Sequence, residues 1–449
     1  LRETDLRRVL AAILVLAFTV SCLGCGESVS KSNPVTLTIW HVYGEQTASP
    51  LNDIINEFND TIGQQEGIKV QVSLVSNTNT IHEAVLKAAE KEPGATELPD
   101  LFISYPKTVL AMPDPDILMD FRECFSEDEL NEYVPEFIEE GEINGKLLVF
   151  PVAKSTEILF VNNTLFDRFA KDTGAKIEDL STWEGLFDTS VKYKEWSGGK
   201  ALIAHDYHFN YFQVGCESMG EDFFDGDAIA FGPKFEKAWE PYAKAAIEGG
   251  LWLNEGYATE PLRTGDAIAS VGSSASVLYY ADEVTYADNR TEKVDITAYP
   301  VPCFEKGEKM VMQRGAGICA VKSNTEREKA IATFVKWLTS PEINVKFVTS
   351  VGYMPVTNKG FELLPDQIEK LDSPKYKSLY EAYIQTQKDY TFYSAPKLDN
   401  YLDLETTFEK EVRRLLRKAA MEYNEEGKED SSVKNREYLI KFERDMKRN

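Results

Sequence analysis

Histidine and cysteine are scarce in this chain of 449 residues, and the signatures of enzymes that depend on them are missing. There are four histidines, His41, His82, His205 and His208. No G-x-S-x-G elbow, G-x-x-x-x-G-K-[ST] phosphate loop or H-E-x-x-H helix occurs. Past the N-terminal region only Cys124, Cys216, Cys303 and Cys319 remain, far apart and without C-x-x-C spacing, which argues against a structural zinc site. Three disulfide pairings stay open outside a reducing cytosol, and mostly buried thiols are expected. His205 and His208 would share a face only on a helix, whereas their flanks read as strand and loop. No metal and no cofactor are expected.

Positive charge is in short supply as well: 49 lysines and arginines face 74 acids, a net charge of -25. Such a chain is repelled by nucleic acid and by anionic head groups, so small solutes or another protein are the partners to expect. Solubility alone would also account for the charge. Among so many acids no glycosidase pair stands out; Glu45 and Glu157 are the ones to test for a surface glycan hydrolase.

A long apolar run is absent too. The stretch Val9–Val20, about a dozen residues, is too short for a ~30 Å hydrocarbon core and, behind Arg2, Arg7 and Arg8, matches the h-region of an export signal. Ser21-Cys22-Leu23-Gly24-Cys25 then resembles the lipobox of bacterial lipoproteins. That resemblance implies a signal peptide over 1–22, lipidation of Cys22 or Cys25, a tether over 23–34, and a body on the outer face of the cytoplasmic membrane or in the periplasm. An ordinary secretory signal with two incidental cysteines is the alternative.

With 43% apolar residues the remainder is globular, and its length suits two lobes better than one core. Val35–Trp40 alternates as a strand, Ser49-Pro50 starts a helix carrying Leu51, Ile54, Ile55 and Phe58, and Ile68–Leu74 alternates again. A helix around Ile81–Ala88 and a buried strand Leu101–Ser104 follow. This βαβαβ order predicts an α/β fold with a mainly parallel sheet, whose ligands meet the loops at the strands' carboxyl ends. Asn144-Gly145 marks a hairpin. Leu147–Val161 reads as strand broken at Pro151 and Lys154–Thr156, the first crossing between lobes, and Ile296–Cys303 as a return crossing. Helices are expected at Glu326–Leu338, after Ser340-Pro341, and at Leu404–Met421, with a surface loop over Tyr423–Lys434. The lobes are thus 35–152 with 299–339, and 153–298 with 340–449.

Aromatics at strand ends stack on the apolar faces of sugars while fixed polar groups meet the hydroxyls. Trp40, Tyr105, Tyr207, Trp252 and Tyr353 are the stacking candidates, with His41 beside the first. Core packing would equally explain each of them alone. In Gly272-Ser273-Ser274-Ala275-Ser276 small residues bring N–H groups and hydroxyls close to an anion or sugar oxygen, or cap a helix.

Taken together, the pieces resemble the extracellular solute-binding proteins of ABC importers, of the type that binds maltodextrin or glycerol-3-phosphate. Its marks are Thr38-Ile-Trp-His41, Lys154–Asn162 before Leu165-Phe166, Gly265–Ala269 before Gly272-Ser-Ser274, Arg314-Gly-Ala-Gly317, Lys336–Pro341 and Gly352–Thr357, spread over Val35 to about Arg414. The resemblance implies a two-lobed periplasmic-binding-protein-like fold with three interlobe crossings. It further implies a monomer without enzymatic activity that closes on a solute and docks on an ABC permease. From the glycerol-3-phosphate branch it carries over Ser155, Ser274, Gly315 and Tyr353. Ser73 stands where that branch has a tyrosine, Tyr105 where it has a glutamate, and Lys397 where it has an arginine. Lysine lacks the bidentate fork, so a neutral sugar or oligosaccharide is expected ahead of a glycerol phosphate or phosphodiester. The mature protein should begin at an acylated Cys22 or Cys25; a mass spectrum showing another N-terminus, or no acyl chains, would remove the anchor.

Overall fold

Apolar side chains on alternate residues from Val35 favour a strand with one buried face, and Val35–His41 forms it, with Leu37 and Ile39 fully buried. The computed structural model describes residues 34–44, 49–427 and 430–448. The segment expected to be a signal peptide, nearly all of the expected tether, Cys22, Cys25 and Glu45 lie outside the described residues.

Val35–His41 runs parallel to Ile68–Val75 on one side and Leu101–Ser104 on the other, as the βαβαβ pattern requires. Gly317–Ala320 and Phe150–Pro151 complete a five-stranded sheet in antiparallel pairing. The helix Pro50–Asp60 starts where expected, capped by the Ser49 hydroxyl, and buries Leu51, Ile54, Ile55 and Phe58. The hairpin turn is also where Asn144-Gly145 places it, both residues at positive φ, between Glu142–Ile143 and Lys146–Leu147.

A second, seven-stranded sheet is built around Ser155–Asn162, which is buried along its whole length. Covered on both faces, that strand shows an unbroken apolar run instead of alternation. Ala269–Ser273 pairs with one edge of it; Ile296–Pro300 and then Met310–Arg314 pair with the other. Ile203–His205, Leu251–Trp252 and Thr391–Tyr393 extend the sheet. The result is a mixed α/β, two-lobed architecture.

The lobe boundaries differ from those expected. Ile296–Pro300 is not a crossing but a paired strand that Pro300 terminates, and Met310–Arg314, expected in the first lobe, belongs to the larger sheet. The chain returns at Gly315-Ala316 instead. There Gly315 has φ 101°, and a Cβ on it would lie 2.8 Å from the Ala153 carbonyl oxygen, so only glycine lets the second crossing lie on the first. Pro341–Val351, expected in the second lobe, packs on Pro50–Asp60, and the chain rejoins the larger sheet with Pro374–Asp389, which lies on Ile296–Pro300.

Near the C-terminus the expected loop over Tyr423–Lys434 is helical at Tyr423–Glu425 and again from Ser431. Tyr401–Glu425 runs longer than expected, and Ser431–Met446 forms a further helix capped by Asp430. Its many charges mask a stripe of Tyr438, Phe442 and Met446, which is buried against Phe408 and Trp239. Cys216 and Cys319 are buried, Cys124 and Cys303 half-buried, and all four are free thiols. Among the described residues no helix is long and apolar enough to cross a membrane.

The crossings are tied to each other. The backbone N–H of Lys154 donates to the Met354 carbonyl at 3.2 Å and the Met354 N–H donates back. Buried Asn344 donates to the Val152 carbonyl at 2.7 Å and accepts from the Val356 N–H at 3.1 Å. Asn344→Ala leaves both backbone groups unpartnered and should cost about 3 kcal/mol in urea unfolding; a loss under about 1 kcal/mol would show that the amide does not hold the crossings together.

Candidate functional site

Strands that end on the same side of a sheet deliver their following loops to one place, and here two sheets do so face to face. From the smaller sheet, the ends of Ile68–Val75 and Leu101–Ser104 bring Thr78 and Tyr105 to a cavity of about 470 Å³. From the larger sheet, Arg314 closes Met310–Arg314, Ser273 closes Ala269–Ser273, and the loop after Ile203–His205 carries Tyr207. Ser155, Gly315 and Tyr353, all at the crossings, also line it, and Lys397 reaches its rim.

Tyr105, Ser155, Tyr207, Ser273, Gly315, Tyr353 and Lys397 are therefore brought together as expected. Four other candidates are not. Trp40 is 3% exposed and packs with Ile81, Val85 and Phe102, because its side of the strand is covered by the helix Thr78–Ala89. His41 is fully buried, bonded to Asn52 Oδ1 at 2.9 Å and accepting the Tyr43 N–H at 3.2 Å; burial holds it neutral. Ser274 is buried one residue past the wall, where its hydroxyl accepts the Thr156 N–H at 3.2 Å, a structural bond and not a ligand contact. Trp252 lines a separate cavity with Arg417 and Met421, because Leu251–Trp252 is the far edge strand of its sheet. No described residue between His41 and Pro50 lines the site; the loops after the second and third strands do. Glu157 is 4% exposed and lies behind the wall, so it makes a poor hydrolytic acid.

Sequence reasoning missed Arg314 and Asn210. Arg314 was visible as the residue before Gly315 in Arg314-Gly-Ala-Gly317; Asn210, in an aromatic-rich stretch, carried no distinguishing signal. The Arg314 guanidinium lies 3.7 Å above the centre of the Tyr207 ring, a cation–π stack, with Nη1 4.0 Å from Glu157 Oε1. The same Glu157 oxygen accepts from Asn210 Nδ2 at 2.6 Å. Burial pushes the Glu157 carboxyl up to about 7, against the pull of Arg314 and Asn210, and pushes the Tyr207 hydroxyl up to about 12. Asp206, behind Tyr207, is pushed up to about 6 by burial although it accepts the Ala258 N–H at 2.7 Å.

At the crossings the ammonium of fully buried Lys154 pairs with Glu140 and donates to the Gly315 carbonyl at 3.3 Å. Lys397, exposed at the rim, donates to the backbone carbonyls of Glu139, at 3.0 Å, and Glu142. His205 and His208 stack with ring centres 5.6 Å apart away from the cavity, and burial drives His205 down to about 3. Among the described residues no cluster of three or more histidines, cysteines or acids could hold a metal.

The family model described as bacterial extracellular solute-binding protein matches residues 53–374. No curated protein matches the sequence. Among solved structures the chain is similar to the cyclic alpha-maltosyl-1,6-maltose binding protein from Arthrobacter globiformis, at 19% identity and TM-score 0.69 over 93% of this chain and 100% of that one. It is similar to the sugar-binding protein MalE from Xanthomonas citri, at 15% identity and TM-score 0.66 over 92% and 98%. A third is UgpB from Mycobacterium tuberculosis, solved with glycerophosphocholine, at 16% identity and TM-score 0.64 over 93% and 99%.

The raised carboxyl of Glu157 makes a pH prediction. An unfolded chain releases this proton near 4.5 and the folded one near 7, so the native state holds the extra proton in between and loses stability as pH rises through that window. Glu157→Gln should match the parent at pH 4.5 and gain on it by about 3 kcal/mol at pH 8; a difference that stays constant across this range in thermal melts would contradict the assignment.

Proposed function

Because this chain belongs to the bacterial extracellular solute-binding proteins, we propose that it captures a sugar or oligosaccharide between its lobes and delivers it to the permease of an ABC importer. The family is one of binding proteins and not enzymes. In this reading the body is held outside the cytoplasm by acylated Cys22 or Cys25. The lobes move about crossings near Lys154, near Gly315 and between Met354 and Pro374.

The observation that carries the reading is a single cavity with walls from both sheets and a floor made of crossings. A solute there touches Tyr105 on one lobe and Tyr207 and Ser273 on the other. Contacts to the second wall exist only when the walls are close, so the solute favours the closed form by its differential affinity for it. The tyrosine rings at 105, 207 and 353 offer stacking surface, and Thr78, Ser155 and Ser273 offer hydroxyls. A glycerol phosphate or phosphodiester is the second reading, supported by the cations Arg314 and Lys397 on the same wall.

A thermal-shift screen over mono- and oligosaccharides and glycerol phosphodiesters should yield a ligand that raises the melting temperature in proportion to the logarithm of its excess over Kd. That ligand should also reduce the radius of gyration in small-angle scattering. Tyr207→Ala should weaken it about tenfold. A tight ligand that produces no compaction would sink the trap.

A further inference from the structure

We propose that the solute selected here is a sugar acid, a saccharide whose carboxylate is held by Arg314; the proposal rests on the reading of the chain as a sugar-capturing protein. The starting observation is an unspent guanidinium. Arg314 lies in the cavity wall with 27% of its side chain exposed and its guanidinium carbon 3.7 Å from the centre of the Tyr207 ring. Among the described residues its side chain makes no hydrogen bond; its nearest acid, Glu157, stays at 4.0 Å and spends the facing oxygen on Asn210. Buried donors need acceptors, and this one faces the cavity.

The surrounding charges are already committed. Of the two carboxylates in the wall, Glu140 pairs with buried Lys154, and Glu405 pairs with Lys107 at 3.7 Å. Lys397 is anchored on the carbonyls of Glu139 and Glu142. Despite a net charge of -25, the chain thus pairs its cavity carboxylates with lysines and presents the positive charges of Arg314 and Lys397, of which only Arg314 makes no side-chain hydrogen bond among the described residues. A carboxylate is planar and only accepts, which matches the fork of N–H groups on a guanidinium. A neutral diol could give a proton to Gln313 Oε1, which has no hydrogen-bond partner, but it brings no charge to meet the guanidinium. A dianionic phosphate would bring a second negative charge, and a phosphodiester, with one negative charge like a carboxylate, is the competitor the test includes.

The test titrates the full chain calorimetrically with D-galacturonate and digalacturonate, with galactose and maltose as neutral counterparts, and with glycerophosphocholine. The uronates should bind at least about tenfold tighter than the neutral sugars. Arg314→Gln should weaken the uronates about 30-fold or more, and Arg314→Lys should recover only part of the loss. Glu157→Gln, which removes the competing acid, should tighten uronate binding several-fold. A neutral sugar as tight as its uronate, glycerophosphocholine as the tightest ligand, or a Glu157→Gln that weakens uronates would each overturn the proposal. Neutral sugars that bind with compaction, unaffected by Arg314→Gln, would overturn it and leave sugar capture standing. If no saccharide of either kind compacts the protein, both readings fall. Should Arg314→Gln fail to fold, Arg314→Lys decides: equal effects on uronate and neutral sugar count against the proposal.

Discussion

The close approach of backbone to backbone at Gly315 sets the geometry of both lobes. A side chain at that position would meet the Ala153 carbonyl, the Lys154 Cα and the Ser155 N–H, all within 2.9 Å, so the outgoing and returning crossings can share one layer only through a glycine. The Lys154–Met354 pairing and the two bonds of Asn344 add a third segment to that layer. The two sheets therefore stand at a separation set by main-chain contacts. Ser155, Gly315 and Tyr353 reach the cavity floor because they belong to the segments that make the contacts.

The same layer explains how two cations a short distance apart come to differ. Lys154 is enclosed, and its ammonium finds a carboxylate on Glu140 and a carbonyl on Gly315, which satisfies a group that could not otherwise be buried. An ion pair of this kind adds little net stability compared with an apolar replacement. Arg314, at the end of its strand and facing the cavity, has an aromatic face beneath it and open space beside it. One cation is enclosed with its partners and the other faces the cavity.

Similarity of fold does not carry over to the ligand. The cyclic alpha-maltosyl-1,6-maltose binding protein and UgpB each share under a fifth of their residues with this chain, and they bind a cyclic maltosyl sugar in one case and glycerophosphocholine in the other. What a cavity takes is decided by the few side chains in its wall. In this chain those include Tyr105, Tyr207 and Arg314.

Local order was legible in the sequence because it obeys short-range rules. Period-two alternation gave Val35–His41 and Ile68–Val75, Ser49-Pro50 and Ser340-Pro341 opened their helices, and Asn144-Gly145 turned its hairpin. Family motifs led to Tyr353, Ser155 and Gly315, and strand-end position led to Tyr105. The same reasoning failed at Trp40, on a strand that contributes nothing to the cavity, and at Ser274, one residue past its wall, since alternation fixes which residues share a face but not which face the next layer covers. It also moved the return crossing, since the pairing of Ile296–Pro300 and Met310–Arg314 with Ser155–Asn162 is a contact across more than a hundred residues. By itself, then, the sequence determined the elements, the α/β class and the family. Only the tertiary structure decided which charges are enclosed and which face the cavity, because the partners of Lys154, Glu157 and Arg314 come from distant parts of the chain and meet only once both sheets are in place.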